Sequence, residues 1–173
     1  MNLRVKGGDY KLSVVVPCYN EAAVISDTHS RLYSVLEGMG CAYNMIFVDD
    51  GSTDETRLAL NELSVQYPNT RVLALSRNFG HQIAVTAGMD AADGNAVVLI
   101  DADLQDPPEI IPKMVERWLT GVDVVYAVRA SREGESRLKL FSAKLFYRLI
   151  GAVSETEIPR DTGDFRLMDR KVV

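Results

Sequence analysis

The sequence predicts an α/β domain: a mostly parallel sheet with helices on both faces. Two observations carry this expectation. Short β-branched apolar runs alternate along the chain with stretches whose apolar residues recur at helical spacing. Each run also ends in a polar cluster, as strand ends do where an open α/β sheet binds its ligand.

Leu12–Val16 is the first strand, closed by Pro17, and Glu21 to Met39 follows as a helix with apolar positions Ala22, Ile25, Leu32, Val35 and Leu36. Met45–Val48 is the second strand. Asp49 to Asp54 forms the next loop, and a helix runs from there to about Gln66, stopped by Pro68. Arg71–Leu75 is a third strand, Ser76–Gly80 a loop, and His81 to Ala92 a helix ending near Gly94. Ala96–Ile100, five apolar residues in a row, reads as a strand buried on both faces. A helix from Pro108, or from Pro112 if the interior proline excludes an earlier start, reaches Leu119 and stops at Gly121. Asp123–Val128 is the fifth strand.

The next segment differs in character. Arg137 to Ile150 carries four basic residues and no acid, with Leu138, Phe141, Leu145 and Leu149 on one helical stripe. Such a helix suits an anionic membrane surface; it equally suits a packed helix with a solvated basic face. Ser154 to Arg160 reads as a loop, and Asp161 to Arg166 as a second acidic turn entering a short apolar run.

At 173 residues and 47% hydrophobic, the chain has the size of one domain, residues 1–173, with no internal boundary. A net charge of −5 argues against nucleic acid as a partner. Cys18 and Cys41 give neither a disulfide framework nor a metal-ligand spacing, which favours a reduced, cytosolic setting. No run has a signal peptide's apolar core or the length of a membrane helix, so these residues are expected to be soluble. The abrupt end at Val173 suggests the front part of a longer protein.

The chemistry concentrates after the fourth strand. In extended chain Asp101 and Asp103 point to the same side, with Gln105 and Asp106 within reach. Two carboxylates and an amide oxygen suit a hard divalent cation, Mg²⁺ or Mn²⁺. The plainer alternative, acids opening a solvated loop, fits Asp106, which with Pro107 and Glu109 reads as a helix start. It fits Asp101 and Asp103 less well, because a close like-charge pair beside an apolar run calls for something positive between them. Asp49 and Asp50 suit a nucleoside's ring N–H groups or ribose hydroxyls; a helix-capping turn is the alternative, which Ser52 or Thr53 would satisfy. No phosphate loop, Gly-x-Gly-x-x-Gly or Gly-x-Ser-x-Gly motif occurs, and His29 and His81 lie in no zinc pattern. His29, in mid-helix, reads as a partly exposed structural residue. What remains is metal-assisted chemistry on a phosphorylated substrate.

Five stretches in order, Val14 to Glu21, Val48 to Asp54, Ser76 to Gly80, Asp101 to Pro108 and Gly163 to Arg166, resemble glycosyltransferase family 2. Within it the chain is most similar to the polyprenyl-phosphate glycosyltransferases, of the bactoprenol glucosyltransferase and dolichol-phosphate mannose synthase type. The resemblance implies a Rossmann-like GT-A catalytic domain, a nucleotide-sugar donor, inversion at the anomeric carbon, and a polyprenyl phosphate acceptor, undecaprenyl or dolichyl. Carried over by position, it places Pro17, Tyr19, Glu21 and Asp50 at the nucleoside, Asp101 beside the ribose or diphosphate, and Asp103 and Gln105 on the metal. Asp164 matches the residue usually assigned as catalytic base, and Arg129 and Arg132 match basic residues near the acceptor phosphate. A dianionic phosphate monoester needs no deprotonation to attack, so Asp164 is expected to orient the acceptor or an arginine as much as to take a proton. The bacterial type favours UDP-glucose over a GDP-sugar. The resemblance also implies membrane helices after this domain, a site at the cytoplasmic face of the membrane, and membrane contact through Arg137–Ile150. Homo-oligomerisation stays open.

Three rivals remain. A sugar-phosphate nucleotidyltransferase would need a glycine-rich basic loop where Pro17 to Glu21 stands. A processive polysaccharide synthase would carry a Gln-x-x-Arg-Trp signature, absent from these residues. A nucleotide-sugar-binding module without turnover would leave Asp164 without a task.

Overall fold

Strand pairing starts from the β-branched runs. In a computed structural model, residues 9–128 and 162–173 are described. Six strands form one sheet: β1 (Lys11–Cys18), β2 (Ala42–Asp49), β3 (Thr70–Ala74), β4 (Ala96–Leu99), β5 (Val124–Val128) and β6 (Thr162–Asp169). Between them lie α1 (Ile25–Gly38), α2 (Thr56–Gln66), α3 (His81–Ala91) and α4 (Ile111–Leu119), the last preceded by a 3₁₀ turn at Pro108–Ile110. The strand order is β3-β2-β1-β4-β6-β5. β1 pairs in parallel with β2 and with β4, β2 pairs in parallel with β3, and β6 runs antiparallel to β4. The chain divides into two compact units, 1–126 with 164–173 and 127–163; of the second, only strand ends fall among the described residues.

Helix faces follow the spacing of their apolar residues. α1 buries Ile25, Thr28, His29, Leu32 and Leu36, and α4 buries Ile111, Met114, Val115 and Trp118, each at intervals of three and four. Trp118 meets Tyr10 edge to face at 5.6 Å and donates its indole N–H to Asp169 at 2.7 Å. α3 covers the opposite face with small residues, Ala84, Val85 and Gly88, against Val15, Ile46, Val48 and Leu99. A Cβ on Gly88 would run into Val15, so the glycine sets how closely α3 lies on the sheet. His29 is buried, not partly exposed: its Nε2 lies 2.9 Å from the Thr70 hydroxyl, among the rings of Tyr33, Phe47 and Tyr67. Burial lowers its pKa.

Four local expectations are corrected. Pro17 does not close β1, which continues through Cys18 in register with Val48 and Asp49. Along β1 the carbonyls of Lys11 and Val15 face β4 and that of Cys18 faces β2, so the Pro17 nitrogen faces a side where β4 has ended and no ladder bond is lost. β4 ends at Leu99, so Asp101 and Asp103 lie in a turn, with Leu104 at a φ of +58°, rather than in extended chain. The turn following Asp106 has Pro107 as its cap residue with no side-chain cap, and Glu109 forms a two-pronged pair with Arg31 at 2.8 and 3.1 Å instead. Residues 162–169 form a strand where an acidic turn was expected.

Three strand-end loops are bound to one another. Asn20 receives the Thr53 amide at 2.8 Å, the Asn20 amide reaches Ser52 Oγ at 3.0 Å, and the Glu21 amide reaches Thr56 Oγ1 at 2.8 Å. Ser52 and Thr53 therefore serve the neighbouring loop, while Asp54 accepts the Thr56 amide at the start of α2. Gly51 has a φ of +69°, and a Cβ there would collide with the Arg77–Asn78 backbone. Gly51→Ala is expected to cost about 1–3 kcal/mol through backbone strain and this collision. Urea denaturation checks it: the midpoint should fall at constant m value, and an unmoved midpoint would contradict the packing of the two loops.

Candidate functional site

The order of strands reverses beside β1, and the crevice this leaves at the carboxyl ends of β1, β2 and β4 holds a cavity of about 320 Å³. Pro17, Tyr19 and Glu21 line it from the end of β1, Asp50 from β2, and Asp101 and Asp103 from the turn after β4. Asn78, Gly80 and His81 complete it from the start of α3. Six residues expected at the site from the sequence are thus brought together: Pro17, Tyr19, Glu21, Asp50, Asp101 and Asp103. Gln105 is exposed and does not line the cavity, although its amide donates to Asp103 Oδ1 at 3.0 Å. Arg129, Arg132 and the Arg137–Ile150 helix lie outside the described residues.

Asp49 and Asp50 have separate tasks. Asp49 is fully buried, pairs with Arg57 Nε at 2.7 Å and accepts the Ser52 amide at 2.9 Å. Arg57 in turn donates to the Leu75 carbonyl at 2.9 Å. Asp49 does not line the cavity, and its place is structural. Asp50 lines the cavity and receives the amides of Phe79 and Gly80 at 2.8 and 2.9 Å, which fixes the loop that starts α3.

Asp164 reaches this edge because β6 is antiparallel. Its amino end lies where β4 has its carboxyl end, and extending the register of Leu99 with Arg166 sets Asp164 opposite Asp101. His81 Nε2 lies 3.1 Å from Asp164 Oδ2 and 4.0 Å from Asp101 Oδ1. Ligand atoms of His81, Asp101 and Asp164 all fall within 4.8 Å of one another, a separation that one cation can bridge. His81 is the site residue that sequence reasoning missed. The signal was its place as the first residue after the Ser76–Gly80 loop, at a strand-end position.

The field in the cavity is negative. Burial first, then the charges of Asp164, Asp103 and Asp106, raises the pKa of Asp101 against the opposing pull of His81. Burial first, then Asp103, Asp54 and Asp101, raises Glu21. Burial and the charges of Glu21, Asp49 and Asp101 push the Cys18 thiol well up. Ionised groups that each raise the cost of charging the next favour a cation among them. No helix among the described residues is long and apolar enough to cross a membrane.

The sequence model of Glycosyl transferase family 2 matches residues 13–173. An uncharacterised glycosyltransferase of Bacillus subtilis, YkcC, is 54% identical over 92% of this chain and 50% of its own length. The bactoprenol glucosyl transferase of Shigella phage SfV is 42% identical over 94% of this chain and 53% of its own. The chain spans about half the length of these curated relatives. Among solved structures, glucosyl-3-phosphoglycerate synthase from Mycobacterium tuberculosis, in complex with Mn²⁺, UDP and glucosyl-3-phosphoglycerate, superposes with a TM-score of 0.68 at 24% identity. That match covers 94% of this chain and 58% of the other, and it shows the Rossmann-like fold. With the family's sequence model matched from the first strand to the last residue, the chain belongs to glycosyl transferase family 2.

Proposed function

We propose that residues 1–173 form the catalytic part of an enzyme that transfers glucose, with inversion, from UDP-glucose to a polyprenyl phosphate in the presence of Mg²⁺ or Mn²⁺. The observation that carries this reading is the convergence of Asp101, Asp103, Asp164 and His81 at one crevice. The 42% identity to a bactoprenol glucosyl transferase over nearly the whole chain supports the acceptor class and the sugar. One protein of this fold holds Mn²⁺ and UDP together and another holds GDP-mannose and Mn²⁺, which supports a nucleotide-sugar donor with a divalent cation.

Pro17, Tyr19, Glu21 and Asp50 are assigned to the nucleoside, with Tyr19, 43% exposed, lining the cavity. Asp101 and Asp103 are assigned to the cation, with Gln105 adjoining them. A bound divalent cation would neutralise charge on the departing diphosphate. The carboxylates present fit it: burial and, after it, mutual repulsion raise the pKa of Asp101 and Glu21, and a cation would relieve the cost of their charge. Asp164, 3.1 Å from His81 Nε2 at the same crevice, is assigned to the acceptor phosphate, which it orients or relieves of a proton. Arg129 and Arg132 are assigned to that phosphate's charge, since guanidinium forks match phosphate oxygens. The Arg137–Ile150 helix is assigned to the membrane surface, at its cytoplasmic face.

Three outcomes are expected. By calorimetry, Asp103→Asn should weaken Mn²⁺-dependent UDP binding about tenfold, one good ligand's share, and leave metal-free binding unchanged; equal affinities with and without chelator would remove the metal from the reading. In membranes containing the complete gene product, with UDP-glucose and undecaprenyl phosphate, Asp164→Asn should lower transfer about 100-fold or more while UDP binding persists. A panel including GDP-mannose in the same assay tests the donor, and transfer from GDP-mannose alone would overturn UDP-glucose. The third outcome concerns pH. A carboxyl with a raised folded-state pKa contributes stability below its unfolded-state pKa and loses it as pH rises through the folded-state value. Without metal, Asp101→Asn should therefore raise Tm at pH 7 and much less at pH 4, and Mn²⁺ affinity of the wild type should fall with acidification from above the ordinary carboxylate range.

A further inference from the structure

We propose that His81 is a positioning residue for the transfer: its Nε2–H holds the Asp164 carboxylate in the crevice, beside Asp101. The inference rests on the functional reading above and deepens it. Asp164 gains from such a hold because the backbone pairing of its strand does not fix the direction of its carboxylate. The β4–β6 ladder runs from Ala96 opposite Asp169 to Leu99 opposite Arg166, and Asp164 lies two residues beyond its last rung. Asp101 likewise lies two residues past the end of β4. The β4–β6 ladder therefore sets neither carboxylate's direction, and their charges oppose each other, as the effect of Asp164 in raising Asp101 records.

His81 is built to resist that. It is the first residue of α3, and the loop before it is clamped by Asp50, which takes the amides of Phe79 and Gly80 at 2.8 and 2.9 Å. The Gly80 carbonyl then receives the amides of Ile83 and Ala84, so the imidazole projects from a fixed turn. A carboxylate can only accept, so the 3.1 Å contact has Nε2–H as donor and Asp164 Oδ2 as acceptor. Asp101 Oδ1, at 4.0 Å, is beyond hydrogen-bond distance and feels the ring through charge alone. The same ring nitrogen thus faces both the acid assigned to the cation and the acid assigned to the acceptor.

The test uses the complete gene product and separates this role from a merely structural one. His81→Ala should lower kcat about tenfold or more, a modest misplacement's effect, with the donor KM and Mn²⁺-dependent UDP affinity unchanged. His81→Gln, whose amide N–H can stand near the position of Nε2, should recover most of the rate. In an Asp164→Ala background His81→Ala should cost almost nothing further, because the two act as one unit. Multiplying losses in the double variant would overturn the inference. So would a tenfold fall in Mn²⁺ affinity in His81→Ala, which would make His81 a cation ligand instead. A readout independent of the acceptor is the imidazole ¹⁵N spectrum of the detergent-solubilised protein labelled at histidine. The His81 Nε2–H group should show the deshielded ¹⁵N and proton resonances of a hydrogen bond to a carboxylate, and Asp164→Ala should move both upfield; unchanged shifts would overturn the inference. A wild-type protein that transfers no sugar while this spectrum behaves as expected would instead overturn the functional reading.

Discussion

The site exists because β4 stops pairing with β1 at Val15 while β2 keeps pairing to Cys18. That difference of three residues opens the sheet on one side of its central strand. Pro17 can then occupy a strand position without a lost hydrogen bond, and the chain after Leu99 can turn inward instead of continuing as strand. Ala102, buried in that turn, offers its carbonyl to Thr28 Oγ1 at 2.6 Å, which anchors the turn to α1. With Ala102 held inward, Asp101 and Asp103 face the crevice from either side of it.

Most of the sheet was legible because β-branched runs and helical spacing are local signals that the tertiary structure reinforces. Ile25, Leu32 and Leu36 face the core as their spacing requires, and so do Met114 and Trp118. The misreadings came where a distant partner decides. Residues 162–169 carry Asp164 and Arg166 among their apolar positions and become a strand by pairing with β4, about seventy residues earlier. Asp49 and Asp50 are adjacent and chemically identical, yet the alternation of side chains along β2 sends one to Arg57 and the other to the cavity. His81 has its place from the turn that starts α3, but its partner Asp164 is brought by β6, so its role shows only in the folded sheet. Asp101 and Asp103 were expected together for the wrong geometric reason, an extended chain, and meet at the cavity because of a turn.

The concentration of acid at this edge is an arrangement the fold tolerates rather than favours. Elsewhere four carboxylates meet a basic partner: Asp93 meets Lys11, Glu109 meets Arg31, Asp49 meets Arg57 and Asp123 meets Lys171. At the crevice Asp101 and Glu21 have no such arginine or lysine partner among the described residues, and burial adds to the cost of their charge. Unrelieved charge at a strand-end crevice is a mark of function more than of architecture, because surface ion pairs of the kind seen elsewhere were equally accessible to the sequence.

The position of β6 has a bearing on how the molecule is made. β5 is synthesised before β6, yet in the finished sheet β6 lies between it and β4. During translation β5 therefore has no partner among the described strands, and β4 presents a bare flank, until the polypeptide has emerged past Asp169. Nascent chains halted earlier would expose two unsatisfied edges, each a template for intermolecular aggregation. Assembly of this half of the sheet is correspondingly a long-range, late event, slower than the parallel pairing of β1 with β2 that precedes it.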